Sequence, residues 1–594
     1  MKRHKHISRR SFLTRTAVAP LSAIIAHKLA LRPAHAEELN PIPPHGAELR
    51  GMSLVLKNRL VEGRFGVMFK SLSPFVPTPD STTQETLLAS LGTAMEEQPR
   101  MVDGATIADN DAPNNSTRIP AGYTFLGQFI DHDITLDLTP ITVAQQDPDA
   151  TINYRSPRYD LDSVYGRGPL SEDRDRLYGY VDPDDSTKPA DYDKLKIERR
   201  TTTVNLKYID QAGQDAFVDQ RIVTYDVPRD PATGKASIGD PRNDENLLVI
   251  QLHVAFIRFH NALVDYVRKQ AGMQPQWVFE TARRLARWHY QWIVIHDFLP
   301  RIAGDTTANA VYKERAGQAP TITITYYKPT NKDNKPFIPV EFSVAAYRFG
   351  HSMARPRYFT RDVYDSAGQV IGVVGNVPLF PTDATFGSDN DMTGGRPIPA
   401  RLTIRWHILF PVDAPLGDPS GRGPKPSRKI DARLSSPLLK LPPSALPDGG
   451  PPVVLGVRNL LRGKKFGLPS GQSIARVMRA TVLSNAQLSR NAAGQVDDIG
   501  QIILDQRWKG EAPLWFYILR EAELLGQSSY LGPVGGRIVA EVLVGLLQRD
   551  PNSYLYLQPS WKPILPSATA GSFTIADLLK FAGATGPDNI LPSV

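Results

Sequence analysis

The chain of 594 residues predicts a mainly α-helical fold with a small β-hairpin insertion and long loops. Three observations carry that reading. Several long stretches set apolar residues at helical spacing, strand-like alternation is confined to one polar region, and stretches rich in proline and glycine separate the helical ones.

In chain order, residues 1–36 read as a targeting segment. Ser8-Arg9-Arg10-Ser11-Phe12-Leu13 is a twin-arginine pattern, a short apolar stretch covers 17–26, and Ala34-His35-Ala36 supplies small residues for cleavage. The apolar stretch is too short to span a bilayer, and no other apolar run reaches the ~20 residues a spanning helix needs, so no transmembrane anchor is expected. Residues 170–235 form a polar insertion in which 201–208 and 221–227 alternate around a glycine-containing turn, a hairpin pattern. Leu248, Leu252, Phe256, Phe259 and Leu263 keep one helical face within 246–270. Leu285, Trp288, Trp292, Ile295 and Leu299 do the same until Pro300, which is expected to end the run. Residues 411–452 are rich in proline and glycine and read as a long surface loop, while 474–488, 513–525, 533–549 and 575–582 read as helices.

The net charge of +8 belongs to the first 36 residues, which hold eight Lys/Arg and no Asp or Glu. The remainder is neutral overall, so the charge gives no sign of a nucleic-acid partner. With no cysteine, disulfides and thiolate chemistry are excluded, which suits an oxidising compartment or reaction.

Four motifs carry chemistry. Gly127-Gln128-Phe129-Ile130-Asp131-His132-Asp133 places an amide, a histidine and two carboxylates between apolar flanks, where ionisable groups are costly unless paired or metal-bound. On a helix Gln128 and His132 share a face, and Asp133 turns about 100° away, so one helix can serve two sites. In Ser156-Pro157-Arg158-Tyr159-Asp160-Leu161-Asp162, the oxygens of Ser156, Asp160 and Asp162, with the Arg158 carbonyl between, suit a hard cation; Asp133 adds a third carboxylate, a fitting charge for Ca²⁺. Tyr347-Arg348-Phe349-Gly350-His351-Ser352 holds a histidine in an apolar run, and Asp240-Pro241-Arg242-Asn243-Asp244-Glu245 is a polar turn before a long apolar helix.

Together these motifs, in this order, resemble the animal haem peroxidase superfamily. The resemblance runs from about residue 45 to 583. It takes in Gln128-x-x-Asp131-His132-Asp133, the loop ending Val164-Tyr165-Gly166, Gly239-Asp240-Pro241-Arg242-x-x-Glu245 and Arg348-Phe349-Gly350-His351. Arg458-Asn459, Arg462, Gly467-Leu468-Pro469, Leu531-Gly532-Pro533 and Asp577-Leu578-Leu579 follow downstream. It implies one haem peroxidase domain over 37–594, haem b, Ca²⁺, and oxidation of small donors (halide, thiocyanate or phenols) by hydrogen peroxide through a ferryl state.

The resemblance also assigns roles. His351 is implied as the proximal haem iron ligand with Asn459 at its other ring nitrogen, His132 as the distal acid–base group, Arg242 as the distal cation and Gln128 as the pocket amide. Asp131 and Glu245 stand where family members form ester links to haem, and Arg348 and Arg462 are candidates to pair with haem propionates. Asp133, Ser156, Arg158, Asp160 and Asp162 are implied as the calcium shell, with Ser156 in place of a common threonine.

Two departures matter. Asn246 stands where the myeloperoxidase branch carries a haem-bonded methionine, which excludes that link and weakens the expectation of chloride oxidation. The tyrosine used by the family's oxygenases, three residues before the proximal histidine, is Arg348 here; Tyr347 is offset by one residue, about 100° on a helix. Peroxidase is therefore favoured over fatty-acid dioxygenase, and a secreted, non-catalytic haem- and calcium-binding protein is a third reading. His253, His260, His289, His296 and His407 are expected to be structural.

Overall fold

A computed structural model describes residues 63–586 apart from 98–99, 103–104, 108–113, 138–146, 329–335, 382–389, 420 and 443–451. The targeting segment expected over 1–36 lies outside the described residues.

The longer helices are α1 (Ser81–Ala94), α2 (Gly122–Ile134), α3 (Leu247–Arg268), α4 (Val278–Ile293), α5 (Leu455–Lys465), α6 (Leu514–Leu525), α7 (Pro533–Arg549) and α8 (Ile575–Phe581). The mainly α expectation holds, and the 246–270, 513–525, 533–549 and 575–582 segments fold as read. Each has a local reason to start. Asn246 caps α3 by accepting from the Leu248 and Val249 N–H groups, Pro533 opens α7, and Thr574 with Asp577 forms a capping box on α8.

The core forms where α3 packs on α2 and α4. Phe129 of α2 stacks on Phe256 of α3 at 4.5 Å, and Phe256 meets Tyr290 of α4 edge-on at 5.5 Å. By length and composition, α3 is apolar enough to cross a membrane, contrary to the expectation that no such run exists; in the structure it is the fully buried central helix.

Four other expectations change. Pro300 does not end the α4 run: a π turn, Val294–Phe298, follows α4, and Leu299–Ala303 continues as helix. The widened turn leaves Pro300 near the start of the next segment, where its missing N–H is harmless. Residues 474–488 split into Gly471–Met478 and Asn485–Leu488, the first ending at Arg479 with φ 53°. The hairpin, β1 (Glu198–Asp210) with β2 (Asp215–Asp226), is not isolated. β3 (Arg361–Tyr364) and β4 (Val370–Val374) join it in one sheet of order β3-β4-β1-β2. Nor is 411–452 only a surface loop, since Pro426–Arg428 pairs with the strand Asn115–Pro120 that leads into α2.

The start of α7 supplies a pH-dependent element. Buried Glu521 of α6 accepts hydrogen bonds from the Val534 and Gly535 N–H groups, and burial pushes its carboxyl up to about 8 despite them. Between the ordinary value of 4.5 and about 8, the folded protein holds a proton that the unfolded chain has released, so stability falls as pH rises across that window. Glu521→Gln should flatten this slope, read as urea midpoints at the two ends of the window.

Candidate functional site

A cavity of about 360 Å³ lies between α2, the turn before α3, and the segment leading to residue 353. His132 and His351 both line it, 219 positions apart in the chain. Gln128, Asp131, Arg242, Glu245, Arg348 and Arg462 line it as well, so these predicted site residues are brought together. Asn459 adjoins the cavity through His351. The remaining walls are largely apolar, with Phe349, Leu379, Leu455 and Phe466 among them.

His132 projects from α2, and its orientation is set by residues that the sequence reading missed. Its Nδ1 pairs with Asn243 Oδ1 at 2.9 Å, and the Asn243 amide nitrogen meets His253 Nδ1 at 3.1 Å. Burial pushes the His253 imidazole down to about 3, so at neutral pH it is uncharged and its Nδ1 can accept from the amide. With the amide oxygen toward His132, that imidazole carries its proton on Nδ1 and its lone pair on Nε2. His253 is thus more than the structural histidine expected. Its place one helical turn and a half into α3, in register with the Asn243 turn, was the only signal available.

Arg242 donates to the His132 carbonyl at 2.8 Å and to Asp240 at 2.7 Å. Burial alone would raise the Asp240 pKa, but Arg155 and Arg242 together hold it well below the ordinary carboxylate value. Arg155, also missed from sequence, pairs with Asp240 and, at 2.8 Å, with Asp162. Gly239 permits the close approach: a Cβ there would lie 2.5 Å from the Ser163 carbonyl oxygen. The loop at 156–162 is thereby tied through two arginines to the backbone of His132.

Asn246 does two things at once. Besides capping α3, its amide donates to Gln128 Oε1 at 3.2 Å, and Gln128 Nε2 lies 3.5 Å from Glu245 Oε2. Asp131 accepts from the Thr135 hydroxyl at 2.9 Å. Burial raises its pKa, with Arg242 opposing.

On the other side, His351 Nδ1 pairs with the Asn459 amide nitrogen at 2.8 Å while Arg348 donates to Asn459 Oδ1 at 2.7 Å. Burial, reinforced by Arg348, pushes the His351 imidazole down to about 3, so it is neutral, the state in which an imidazole ligates a metal. In this rotamer the amide N–H faces Nδ1; a half-turn of Asn459 would present Oδ1 to an Nδ1–H, as a neutral metal-bound imidazole requires. Arg462 pairs with Asp137 at 2.6 Å. Two imidazoles in one cavity, apolar walls and cationic side chains in the lining fit a planar metal cofactor bearing carboxylates.

The rotation argument that set Tyr347 aside does not hold. Glu341–Ala345 is a π turn and Ala346–Phe349 a 3₁₀ turn, joined at Ala345 with φ −130° and ψ −74°. Regular helical spacing therefore does not apply, and Tyr347 lines the cavity with its hydroxyl donating to the Gly127 carbonyl at 3.3 Å.

Behind α2, Asp133, Asp160 and Asp162 bring one carboxylate oxygen each within 4.8 Å of one another. Asp133 is fully buried and its Oδ1 accepts no hydrogen bond. Burial first, and then Asp160 and Asp162, raise its pKa well above the ordinary value. Such a cluster fits a hard cation. Ser156 donates its hydroxyl to Asp160 at 2.8 Å, and Arg158 sits half-buried between them in the loop. Leu161, with φ 58°, makes the bend that turns both aspartates inward.

Residues 144–390 match the family model for animal haem peroxidase, a span that includes the 156–162 loop, Arg242, Glu245 and His351. The chain is 25% identical over 246 residues to peroxidasin homolog pxn-2 of Caenorhabditis elegans, covering 41% of this chain and 16% of that protein. It spans less than a quarter of the length of the curated relatives it matches. Among solved structures, fatty acid alpha-dioxygenase of Arabidopsis thaliana superposes with a TM-score of 0.54 at 15% identity over 96% of this chain and 89% of that one. Peroxidase A of Dictyostelium discoideum gives 0.50 at 15% identity, over 93% and 94%. The helical fold is thus shared with solved structures of both a peroxidase and a fatty acid alpha-dioxygenase. The family model matched by residues 144–390 and the peroxidasin relative both point to the animal haem peroxidase superfamily.

Proposed function

We propose that the protein is a haem-dependent peroxidase that uses hydrogen peroxide to oxidise small donors such as halides, thiocyanate or phenols, exported by its twin-arginine segment to the periplasm or beyond. The observation that carries this reading is the His253–Asn243–His132 chain, which leaves a basic ring nitrogen on a side chain that shares its cavity with His351.

His351 would hold a haem, which when bound would supply the redox chemistry. His132 takes a proton from hydrogen peroxide at Nε2 and returns it to the departing oxygen, a task worth roughly 10²–10⁴-fold in rate. Arg242, held in place by Asp240, offsets the negative charge that develops as the O–O bond breaks. Gln128, oriented by Asn246, positions the small polar reactant. Asp131 and Glu245 are the carboxylates available for ester links, and Arg348 and Arg462 the cations available to the carboxylates of the cofactor.

A second reading, oxygenation of a fatty acid, is favoured by one observation, Tyr347 at the cavity wall. Purified protein loaded with hemin separates the readings. Peroxide-dependent oxidation of iodide, bromide or a phenol supports the peroxidase. Oxygen uptake with an unsaturated fatty acid, lost in Tyr347→Phe, supports the dioxygenase. Haem binding with neither activity supports the non-catalytic binding protein.

Calcium at Asp133, Asp160 and Asp162 belongs to the same proposal. At a hundredfold excess over its Kd it should stabilise the fold by about 2.7 kcal/mol. Asp133→Ala should abolish that thermal shift, and chelation should lower haem retention and activity together, because Asp133 follows His132 on α2. Full activity with intact haem after calcium removal would reject the coupling.

A further inference from the structure

A second cavity, of about 400 Å³, opens where the polar insertion covers the C-terminal half of α3. It takes Tyr180, Lys194 and Ile197 from the insertion, Tyr225 from β2, and Arg258 and Lys269 from α3 and its end. Arg258 is twelve residues along α3 from Asn246, about 18 Å at 1.5 Å per residue, so this is not an annex of the histidine cavity.

The lining is cationic and aromatic. Asp265 is the carboxylate among the lining residues, and Lys194 engages it at 2.7 Å. Arg199 and Arg268, also in the lining, are paired with Asp184, Asp191 and Asp193. Arg258 is 4% exposed, sits over the Tyr225 ring 4.1 Å from its centre, and donates to the Gly583 carbonyl at 2.5 Å. Lys194 sits 5.3 Å from the Tyr180 ring centre. A desolvated guanidinium at the floor attracts an anion more strongly than one in water does. Two tyrosine rings and Ile197 offer flat apolar contact of the kind that seats an aromatic body.

We propose that this cavity is a binding site for a small aromatic anion, a carboxylate or sulfonate. The charged group meets Arg258 and Lys269, and the ring system lies against Tyr180, Tyr225 and Ile197. The proposal gives the 170–235 insertion a purpose, as the roof of a site whose floor is the central helix. It does not depend on the peroxidase reading, because no residue of the histidine cavity takes part.

The test is a fluorescence titration of the full chain with anilinonaphthalene sulfonate, alone and after one equivalent of hemin. One site that survives hemin loading is expected, whatever further dye the apolar histidine cavity takes up beforehand. Losing a charge-assisted contact should weaken binding about tenfold or more in Arg258→Gln, and several-fold in Lys269→Glu, which lies at the lip and leaves the core intact. The uncharged analogue phenylnaphthylamine should bind at least about tenfold less tightly, the cost of one such contact. Binding indifferent to both substitutions, displaced by hemin, absent altogether, or as strong for the uncharged analogue would overturn the proposal.

Discussion

His132→Ala should lower peroxide-dependent turnover by about 10²–10⁴-fold while the protein keeps its haem absorption. The proton held by the incoming peroxide then has no acceptor, whereas the opposite face of the cavity, with His351 and Asn459, is untouched. Asn243→Leu should produce a partial version of the same loss, confined to kcat. Without the amide oxygen the imidazole can carry its proton on either nitrogen, and only one tautomer puts the basic lone pair on Nε2. His351→Ala is the contrasting variant and should lose the haem itself. Steady-state kinetics alongside visible spectra distinguish the three; a His132→Ala protein with undiminished turnover would remove His132 from the mechanism.

Arg155→Met should destabilise the fold by about 3–5 kcal/mol, the usual cost of leaving a buried carboxylate without its cation. Arg155 is buried and bridges Asp162 and Asp240, which both raise its pKa against the lowering effect of burial. Its loss removes the largest charge that offsets the desolvation of Asp240, and Asp240 is the group that aims Arg242 at the His132 carbonyl. Turnover should therefore fall along with stability. In a double-mutant cycle with Asp240→Asn, the two losses should not add, since the second substitution removes the charge stranded by the first. Urea denaturation of the four proteins checks this; strict additivity would mean the two residues act separately.

Much of this site was legible in the sequence because its main groups sit in short motifs with fixed local spacing. Asp131, His132 and Asp133 ride one helix, and Arg242 and Glu245 one turn, so each motif could be read without knowing the fold. What escaped was of two kinds. Asn243, His253 and Arg155 act through partners distant in sequence, and nothing local marks an asparagine or arginine as buried. Tyr347 was misjudged because a regular helix was assumed, and π and 3₁₀ turns are set by packing, not by residue periodicity. The helices were read well where a cap or proline marked the start, as in α3 and α7. The reading failed at 474–488 and at Pro300, where Arg479 took a left-handed conformation and a π turn absorbed the proline.

The 411–452 stretch adds Leu438 and Leu441 to the wall of the histidine cavity, and α5 soon after adds Leu455 and Arg462. Both imidazoles are synthesised well before these residues. A nascent chain that has emerged only as far as His351 holds the two ring nitrogens but no closed container around them. The enclosure is thus completed by residues that follow both histidines in the chain, Leu438, Leu441 and Leu455 as walls and Arg462 as a cation.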